Sequence, residues 1–402
     1  MWGIVLVTFA AAGAGIAGVL LREGGDHRVS PARPVTVAGV SPASLTQQSN
    51  ALRRYEYVFP DHAMFVYTIP GHRLVQAVRF PQAAGVRGVA VSPRRHMLFL
   101  SFGGDGGAHG TGSALGYDLL TGRIRWQWSY ATGIDSMAVS RDGARLFMPI
   151  GELSGGTTWR VTSAATGRPV GSVHGGRAPH NTVVGLDGRH VYLGGRNSDY
   201  LVVVDASGGN VVQRAGPLVG GVRPFTINGR QTLAFTTATG FLGFQVESLE
   251  TGKVLYTVPV RRFSWNRRTF APSAPSHGIS LSPDERELWV LDAPNSYVHV
   301  FDVSRLPGEP PRQVADIELR HKLVGDERPC AYDCARDGWL QHGRDGRFVY
   351  VGDSGDVIST ATREIVDFLP ALRDTRKSLE VDWRDGVPVS TTSRTGLGYV
   401  TR

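Results

Sequence analysis

Seven positions in the chain carry most of the side chains that could do chemistry, and each lies seven residues before a polar turn. The turns begin at Arg94, Asp142, Asp187, Arg230, Asp284, Asp345 and Asp385. The positions seven residues earlier are Arg87, Asp135, His180, Arg223, His277, Gly338 and Ser378. Six of the seven are polar or ionisable, and each precedes an apolar run. We therefore predict that they stand at equivalent places in a repeated unit.

The two histidines, His180 and His277, are the candidate catalytic residues of this set. Three roles fit them: structural donors to nearby backbone, metal ligands or general bases, and hydrogen-bond donors to an anionic ligand. Arg223 lies between them in sequence, and two imidazoles with a guanidinium suit a carboxylate or phosphate. The chain has no His-x-His or His-Glu-x-x-His pair. We predict no cofactor, although a divalent metal held by His180 and His277 stays open as an alternative.

The predicted ligand-binding set extends beyond the histidines. From the seven positions it takes Arg87, Asp135, Arg223 and Ser378. Two more carboxylates, Asp199 and Asp292, lie in loops that follow apolar strands and would reach the same end of the molecule. They are also the nearest candidates to complete a metal site.

Two cysteines, Cys330 and Cys334, are spaced Cys-x-x-x-Cys ahead of one of the predicted inner strands. In an exported protein this spacing favours a disulfide that closes a small loop. Binding of a soft metal and free thiols are the alternatives. The motif lacks the Cys-x-x-Cys-His pattern of covalent haem attachment.

The composition indicates a globular chain. Of 402 residues, 41% are hydrophobic and 19% are charged, and the formal net charge is +8. That charge permits contact with anionic surfaces. However, no long basic run or nucleic-acid module accompanies it, so we expect no nucleic-acid partner.

The N-terminus begins with an uncharged stretch from Trp2 to Leu21, followed by Arg22 and Glu23. Twenty such residues are long enough to span a bilayer, and the small residues within them also suit a cleavable signal. We predict a signal anchor or signal peptide at 1–22, a linker at 23–54 and one folded domain at 55–402. A buried helix of a soluble protein is the alternative. Either export reading places the domain outside the cytoplasm, secreted or tethered to the membrane.

Turns of a second kind recur at an almost constant period. Glycines in turn dipeptides fall at positions 122, 167, 209 and 252, so the spacings are 45, 42 and 43 residues. Each turn lies between runs with alternating apolar residues, which is typical of half-buried strands. A period of 40 to 50 residues indicates a stacked repeat such as a propeller blade.

Counting the two kinds of hairpin predicts seven four-stranded blades. Seven inner hairpins contain the polar turns, and the last, from Leu379 to Thr392, has no outer hairpin after it. The missing outer hairpin lies at the other end, in Met64–Thr68 and Leu74–Val78. We therefore expect strands from the two termini to pair in one blade, which removes exposed sheet edges.

Two segments carry a family resemblance. SHGISLSPDERELWVLDAPNSYVHVFD, at 276–302, and HNTVVGLDGRHVYLGGRNSDYLVVVDASGGNVV, at 180–212, resemble the YVTN-type repeats of seven-bladed β-propellers, the group that includes YncE-like periplasmic proteins. The resemblance covers the chain from about Tyr55 onward and implies an all-β propeller. Related propellers include binding proteins, lactonases and lyases, so it does not select an activity.

The functional prediction is a module that binds a small anionic ligand or a protein partner at the mouth of its central channel. The alternative is a metal- or histidine-assisted hydrolase of the lactonase kind, or a lyase, that uses His180 and His277. In both cases the ring of seven positions is the predicted site.

Overall fold

The computed structural model describes residues 26–36, 45, 50–104, 111–270 and 272–392, and these form an all-β fold. The apolar helix expected at 1–22 lies outside the described residues. Three short 3-10 helices are present in the described part: Pro93–Arg95, Glu152–Ser154 and Pro370–Asp374. The first five strands are β1 (His27–Arg28), β2 (Val35–Thr36), β3 (Arg53–Val58), β4 (Ala63–Ile69) and β5 (Leu74–Arg79).

Six antiparallel sheets of four consecutive strands follow along the chain, and we number them as blades 1 to 6. Blade 1 contains β6 (Val86–Ser92), β7 (Met97–Phe102), β8 (Gly112–Asp118) and β9 (Arg123–Tyr130). Blade 2 contains β10 (Ala138–Val139), β11 (Arg145–Pro149), β12 (Thr158–Ser163) and β13 (Pro169–His174). Blade 3 contains β14 (Pro179–Val184), β15 (His190–Gly195), β16 (Leu201–Asp205) and β17 (Val211–Ala215).

Blades 4 to 6 repeat the same strand order. Blade 4 contains β18 (Val222–Ile227), β19 (Leu233–Ala238), β20 (Gly243–Ser248) and β21 (Val254–Pro259). Blade 5 contains β22 (Ile279–Leu281), β23 (Glu287–Asp292), β24 (Tyr297–Asp302) and β25 (Arg312–Glu318). Blade 6 contains β26 (Trp339–His342), β27 (Phe348–Gly352), β28 (Asp356–Ser359) and β29 (Ile365–Phe368).

Blade 7 joins strands from both ends of the described chain. The remaining strands are β30 (Ser378–Arg384) and β31 (Val387–Thr391), and the sheet order is β2-β5-β4-β3-β30-β31. The hairpin β30–β31 was expected to pair directly with β4. Instead β3 stands between β30 and β4, and β31 lies on the other side of β30. Tyr55, Tyr57 and Val58 make β3 a good strand, because aromatic and β-branched side chains pack well on a pleated surface.

The first strands of successive blades contact one another along the series that begins in blade 7 and ends in blade 6. These contacts run from β30 through β6, β10, β14, β18 and β22 to β26. The predicted class, a seven-bladed β-propeller with four-stranded blades, is therefore confirmed. Short strands β1 and β2, from residues expected to form a linker, add to the outer edges of blades 1 and 7.

The polar turns that set the register are held by side chains of their own residues. In blade 5, the Ser282 hydroxyl donates to Asp284 Oδ1 at 2.6 Å and accepts from the backbone N–H of Glu287 at 3.0 Å. Serine and aspartate bond local backbone in this way, which stabilises tight turns. The outer turns use glycine instead, and Gly122 adopts φ +67°, a conformation that favours glycine.

The core lies between neighbouring blades and is filled with large side chains. Trp126 is buried and its Nε1–H, in blade 1, donates to Ala164 O of blade 2 at 3.0 Å. Trp159 is buried in blade 2 and donates to Thr182 Oγ1 of blade 3 at 2.9 Å. Buried indole rings supply much apolar area and need a partner for their N–H, so these residues join successive blades.

Candidate functional site

Five of the seven predicted positions line one cavity of about 260 Å³ at the mouth of the channel: Arg87, Asp135, His180, Arg223 and His277. They belong to blades 1 to 5, and all are buried. Each stands at or just before the start of a first strand, so the blade repeat brings together residues that are distant in sequence. The cavity also takes Glu152 and Arg196 from loops between the second and third strands of blades 2 and 3. Asp337, Arg376 and Lys377 come from the loops that join blade 5 to blade 6 and blade 6 to blade 7.

His180 is fixed by two carboxylates. Its Nδ1 lies 2.5 Å from Asp135 Oδ2 and 3.3 Å from Glu152 Oε1. Because both neighbours accept hydrogen bonds, Nδ1 is the nitrogen that donates its proton to them. Nε2 is buried and has no hydrogen-bond partner among the described residues. An imidazole held by a carboxylate with a bare second nitrogen can accept a proton or bind a ligand donor.

Asp135 remains ionised although it is buried. Burial alone would raise its pKa, but the charges of His180 and Arg87 hold that pKa well below its ordinary value. Asp135 Oδ1 also accepts the backbone N–H of Ser136 at 2.8 Å. The carboxylate is therefore available to fix the His180 ring.

Glu152 is the anionic centre of three guanidinium groups. Its Oε2 accepts from Arg87 Nη2 at 3.0 Å, and its Oε1 accepts from Arg196 Nη1 at 2.9 Å. Arg223 Nη1 lies 3.8 Å from Oε1, too far for a hydrogen bond. Both oxygens of Glu152 are thus already used by Arg87 and Arg196.

Arg223 has the largest number of open donors among the arginines of this cluster, two against one for Arg87. Its side chain is buried, and its Nε and Nη1 have no hydrogen-bond partner among the described residues. Burial lowers the pKa of Arg223, and the nearby charge of Arg196 acts in the same direction. Guanidinium nevertheless stays charged in proteins. A buried guanidinium with open donors is a strong site for an anion.

His277 faces the same cavity from blade 5. Its Nδ1 lies 3.1 Å from Gly338 O and 3.3 Å from Asp337 Oδ1, and its ring lies 6.1 Å from that of His180. Burial lowers the pKa of His277, although Asp337 opposes this. The imidazole is therefore neutral near pH 7, with its Nδ1–H given to the backbone carbonyl or the carboxylate.

Blade 6 contributes Asp337 where the predicted position is Gly338. Gly338 has φ +77°, and a Cβ there would lie 2.2 Å from Leu291 Cδ2, so no side chain fits. Asp337 instead accepts from Arg376 Nη1 at 2.7 Å. Burial would raise the pKa of Asp337, but Arg376 and His277 hold it far below its ordinary value.

Lys377 completes the lining and was not among the predicted residues. Its Nζ lies 4.5 Å from the centre of the Trp339 ring and 3.5 Å from Ser136 Oγ. Burial lowers its pKa to about 8, although Asp135 opposes the shift.

The sequence analysis did not find Lys377 and Asp337, because it took one residue per blade and each of these two precedes a predicted position by one residue. A signal for Lys377 existed in the sequence, since the chain has only three lysines.

The other predicted residues lie elsewhere. Ser378 is buried at the start of β30, next to Lys377, but is not among the cavity-lining residues. Asp292 is buried within blade 5, where Asn295 Nδ2 donates to its Oδ2 at 2.8 Å and His299 Nε2 lies 3.2 Å from that oxygen. Asp199 is exposed in the loop after β15. The cavity is therefore lined by five of the predicted ring positions, and Ser378, Asp292 and Asp199 are not part of its lining.

The predicted disulfide between Cys330 and Cys334 is confirmed. It closes a small loop that carries Asp333, whose Oδ2 accepts from Arg87 Nη1 at 3.0 Å. Arg376 Nη2 donates to the backbone carbonyl of Asp333 at 2.8 Å. The disulfide loop is thus part of the wall of the cavity.

A trio of residues has the spacing of a metal site. Ligand atoms of Asp135, Glu152 and His180 lie within 4.8 Å of one another. However, Arg87 and Arg196 already occupy both Glu152 oxygens, and His180 Nδ1 is bonded to Asp135. Bound guanidinium groups raise the local positive charge and compete with a metal ion. These contacts suit an organic anion better than a divalent cation.

A larger groove of about 1110 Å³ lies at the opposite end of the strands, around the turns at Arg230 and Asp284. Its lining mixes exposed acidic and basic side chains that pair with each other, as Arg363 Nη2 does with Glu287 Oε1 at 2.6 Å. The mouth cavity is smaller, but of these two cavities it is the one lined by arginines with buried donors that have no partner among the described residues. We therefore place the candidate site at the mouth.

Comparisons with known proteins support the fold. No protein-family model matches the sequence, and the comparison with curated proteins finds no match. Within the described residues, no helix is long and apolar enough to cross a membrane. Among solved structures, the chain is similar to hydrazine synthase of Kuenenia stuttgartiensis, with 15% identity, a TM-score of 0.50, and coverage of 69% of this chain and 77% of that one. It is also similar to the dihydro-heme d1 dehydrogenase NirN in complex with DHE, with 14% identity, a TM-score of 0.54, and coverage of 92% and 78%. At these identities the likeness establishes that this chain shares the propeller fold.

Proposed function

We propose that this propeller binds a small carboxylate ligand at the mouth of its channel. The observation that carries the proposal is the buried guanidinium of Arg223, whose Nε and Nη1 lack hydrogen-bond partners among the described residues. A buried cation whose donors make no hydrogen bond destabilises a protein unless an anion accepts from those donors. His180 Nε2, equally without a partner, lines the same cavity and adds a second contact point for the ligand.

The charge balance of the cavity supports an anion. Five basic side chains line it, Arg87, Arg196, Arg223, Arg376 and Lys377, against four carboxylates, Asp135, Glu152, Asp333 and Asp337. A ligand with one negative charge would balance the two sets. A carboxylate suits the planar fork of Arg223 better than a spherical anion does, since two oxygens can accept two parallel N–H groups.

The size of the cavity limits the ligand. At about 260 Å³ it lies below the range of roughly 300–1,000 Å³ that holds drug-sized ligands. The neighbouring propellers have names that refer to hydrazine synthesis and dihydro-heme d1, but this cavity is too small for a tetrapyrrole. A carboxylic acid of a few carbons fits the volume.

The cellular setting belongs to the same proposal. The Cys330–Cys334 disulfide supports a location outside the cytoplasm, because disulfides persist in oxidising compartments. That setting agrees with the YVTN-type resemblance, and with the predicted signal anchor or signal peptide at 1–22 and linker at 23–54. We retain the view that the protein acts as a binding module, with a protein partner at the same mouth as the alternative ligand.

Calorimetric titration of the full chain with acetate, pyruvate, succinate and inorganic phosphate tests the proposal. We expect a carboxylate to bind, and Arg223→Met to weaken it by at least about 30-fold, since a charge-assisted bond contributes roughly 2 kcal/mol or more. Arg230→Gln is the matched control, because Arg230 is exposed at the opposite end of the same blade. If no carboxylate binds, or if Arg223→Met binds as tightly as the parent, the proposal is wrong. Retention of binding after chelator treatment separates the anion site from a metal site.

The geometry of His180 favours a second candidate, a hydrolase or lyase of the lactonase kind. Asp135 holds Nδ1 at 2.5 Å, which leaves Nε2 positioned as a general base. His277 would then orient the substrate from the other side of the cavity. If this activity exists, His180→Gln abolishes turnover of a small lactone, followed as acid release in a pH-stat, while the affinity for the product acid changes less than in Arg223→Met. Equal turnover in His180→Gln and the parent would remove the enzymatic candidate.

A further inference from the structure

The use of lysine in this chain is unusually selective. The sequence contains three lysines, Lys253, Lys322 and Lys377, against 40 arginines. Lys253 is exposed beside a hairpin turn, and Lys322 is half exposed and paired with Glu318. Lys377 is the buried one, and it lies in the candidate site. Where only positive charge is needed, this chain almost always has arginine.

The difference between the two side chains is chemical. An arginine cannot lose its proton in a protein, whereas a buried lysine can become a neutral amine and act as a nucleophile. Arg376 stands next to Lys377 and makes the structural contacts, with Asp337 and the backbone of Asp333. Arg376, and not Lys377, therefore makes the contacts with Asp337 and Asp333 that hold this wall of the cavity together.

The surroundings of Lys377 suit a reactive amine. Among the described side chains it forms no ion pair, and Nζ rests 4.5 Å from the Trp339 ring centre with Ser136 Oγ at 3.5 Å. Burial lowers its pKa to about 8; Arg376 and Arg87 act in the same direction, while Asp135 and Glu327 oppose it. A substantial fraction of the amine is therefore neutral at pH 7.5 to 8.

From this placement we propose that Lys377 forms an imine with the carbonyl group of a small oxo acid whose carboxylate is held by Arg223. The inference rests on the proposed carboxylate site and names its ligand class: a short acid that bears an aldehyde or ketone, such as glyoxylate or pyruvate. Arg223, His180 and Lys377 line one cavity, so carboxylate and carbonyl can be held together.

The chemistry balances without an oxidant, a reductant or a cofactor. The lone pair of Lys377 Nζ attacks the carbonyl carbon, and the carbonyl π electrons move to oxygen to give a carbinolamine. That oxygen then leaves as water, carrying the two protons that the amine supplied, and a carbon–nitrogen double bond remains. His180 Nε2, bare and backed by Asp135, can take the proton from nitrogen and deliver it to the departing hydroxyl. One more proton on nitrogen gives the iminium ion, which the Trp339 ring stabilises as it does the ammonium.

Reductive trapping tests the inference on the full chain. The protein is incubated with pyruvate or glyoxylate and cyanoborohydride at pH 8, and adducts are located by peptide mass mapping. We expect one adduct per chain, at Lys377, formed at least about tenfold faster than at Lys253 or Lys322, which lie outside the cavity that holds the carboxylate. Lys377→Arg keeps the charge and should remove the adduct. Lys322→Arg, the matched control, should leave it unchanged.

Arg223→Met separates this inference from the proposal on which it rests. With pyruvate the adduct should form at least about tenfold more slowly in that variant, because the carboxylate loses its partner, whereas with propanal the two rates should be similar. If carboxylates bind but no adduct appears at Lys377, the imine is wrong and the binding site stands. If Lys377 is trapped equally well with and without Arg223, the lysine is reactive and the carboxylate site is wrong. Equal labelling of all three lysines would overturn the inference.

Discussion

Two regions of this propeller bury carboxyl groups, and they neutralise them by different means. At the channel mouth, Asp135 and Asp337 stay ionised because His180, Arg87 and Arg376 surround them. In blade 7, Glu56 of β3 faces Glu380 of β30 directly across the ladder. Burial raises the pKa of Glu56 to about 8, and the hydroxyl of Ser378 offsets this only in part.

Glu380 follows the same pattern as Glu56. Burial raises its pKa to about 9, and the charge of Asp382 acts in the same direction. Both glutamates therefore carry a proton at neutral pH, whereas Asp135 and Asp337 at the mouth do not. At a position that serves only the fold, burying a protonated carboxyl group costs less free energy than burying an ionised one.

The contrast identifies which buried charges belong to a site. A cluster of ion pairs in the interior contributes little to stability compared with well-packed apolar side chains. The mouth keeps such pairs and adds two cations beyond them, Arg223 and Lys377. Blade 7 instead raises the pKa of Glu56 and Glu380, and it pairs its buried Asp382 with Arg344 of blade 6 at 3.1 Å. Retained charge with open donors is what a ligand site needs, so this difference supports the ligand site proposed at the mouth.

The largest expected effect comes from breaking a pair at the mouth. Asp337→Asn leaves the buried Arg376 guanidinium without its closest carboxylate, and we expect the free energy of unfolding to fall by roughly 3–5 kcal/mol. Urea unfolding measures this. Glu309→Gln is the control, because the Arg305–Glu309 pair is exposed and should change stability by less than about 0.5 kcal/mol. A loss below 1 kcal/mol for Asp337→Asn would show that the mouth does not depend on this pair.

The stability that the protonated blade 7 glutamates contribute should fall as pH rises. The pKa of Glu56 is raised in the folded state, from 4.5 to about 8, so its stabilising contribution is complete below pH 4.5 and is lost as pH rises towards 8. Glu56→Gln does not titrate. We therefore expect the variant to gain stability relative to the parent between pH 4.5 and 8, by roughly 2–4 kcal/mol at about 1.4 kcal/mol per pKa unit.

Urea unfolding of both proteins at pH 4.5, 6 and 8 measures that difference. Exposed Glu309→Gln again serves as the reference, since it should show no such trend. Parallel stability curves for Glu56→Gln and the parent would mean that Glu56 is ionised in the folded state. The distinction between the two regions would then disappear.

The smallest predicted effect concerns the free protein. Arg223→Met removes a buried cation with open donors, so we expect the ligand-free variant to be about 1–2 kcal/mol more stable than the parent in urea. Arg230→Gln should leave stability within about 0.5 kcal/mol. Destabilisation by Arg223→Met would indicate that Arg223 serves the fold and not a ligand.

The sequence predicted much of the architecture because local rules govern it. Period-two alternation and turns such as Ser282–Asp284 are decided within a few residues, and their repetition reveals seven blades. The ring position was also predictable, since the distance from turn to strand start is constant. Arg87, Asp135, His180, Arg223 and His277 meet for that reason.

The strand β3 was missed because its residues read as polar. Arg53 and Arg54 fall in the linker predicted at 23–54, and only the pairing with β30 and β4 shows why Glu56 is tolerated inside a sheet. A strand's partners decide whether its polar residues are buried, and one partner of β3, the strand β30, lies more than three hundred residues away in the sequence.

By itself, then, the sequence determined the repeat, the number of blades, the disulfide spacing and the scarcity of lysine. Only the tertiary structure decided which charges are paired. It places Asp135 against His180 and Glu152 between Arg87 and Arg196, and it leaves Arg223 with open donors and Lys377 over an indole ring. The reason is physical: repeats follow from local backbone preferences, whereas the energy of a buried charge depends on distances of a few ångströms to groups from other blades.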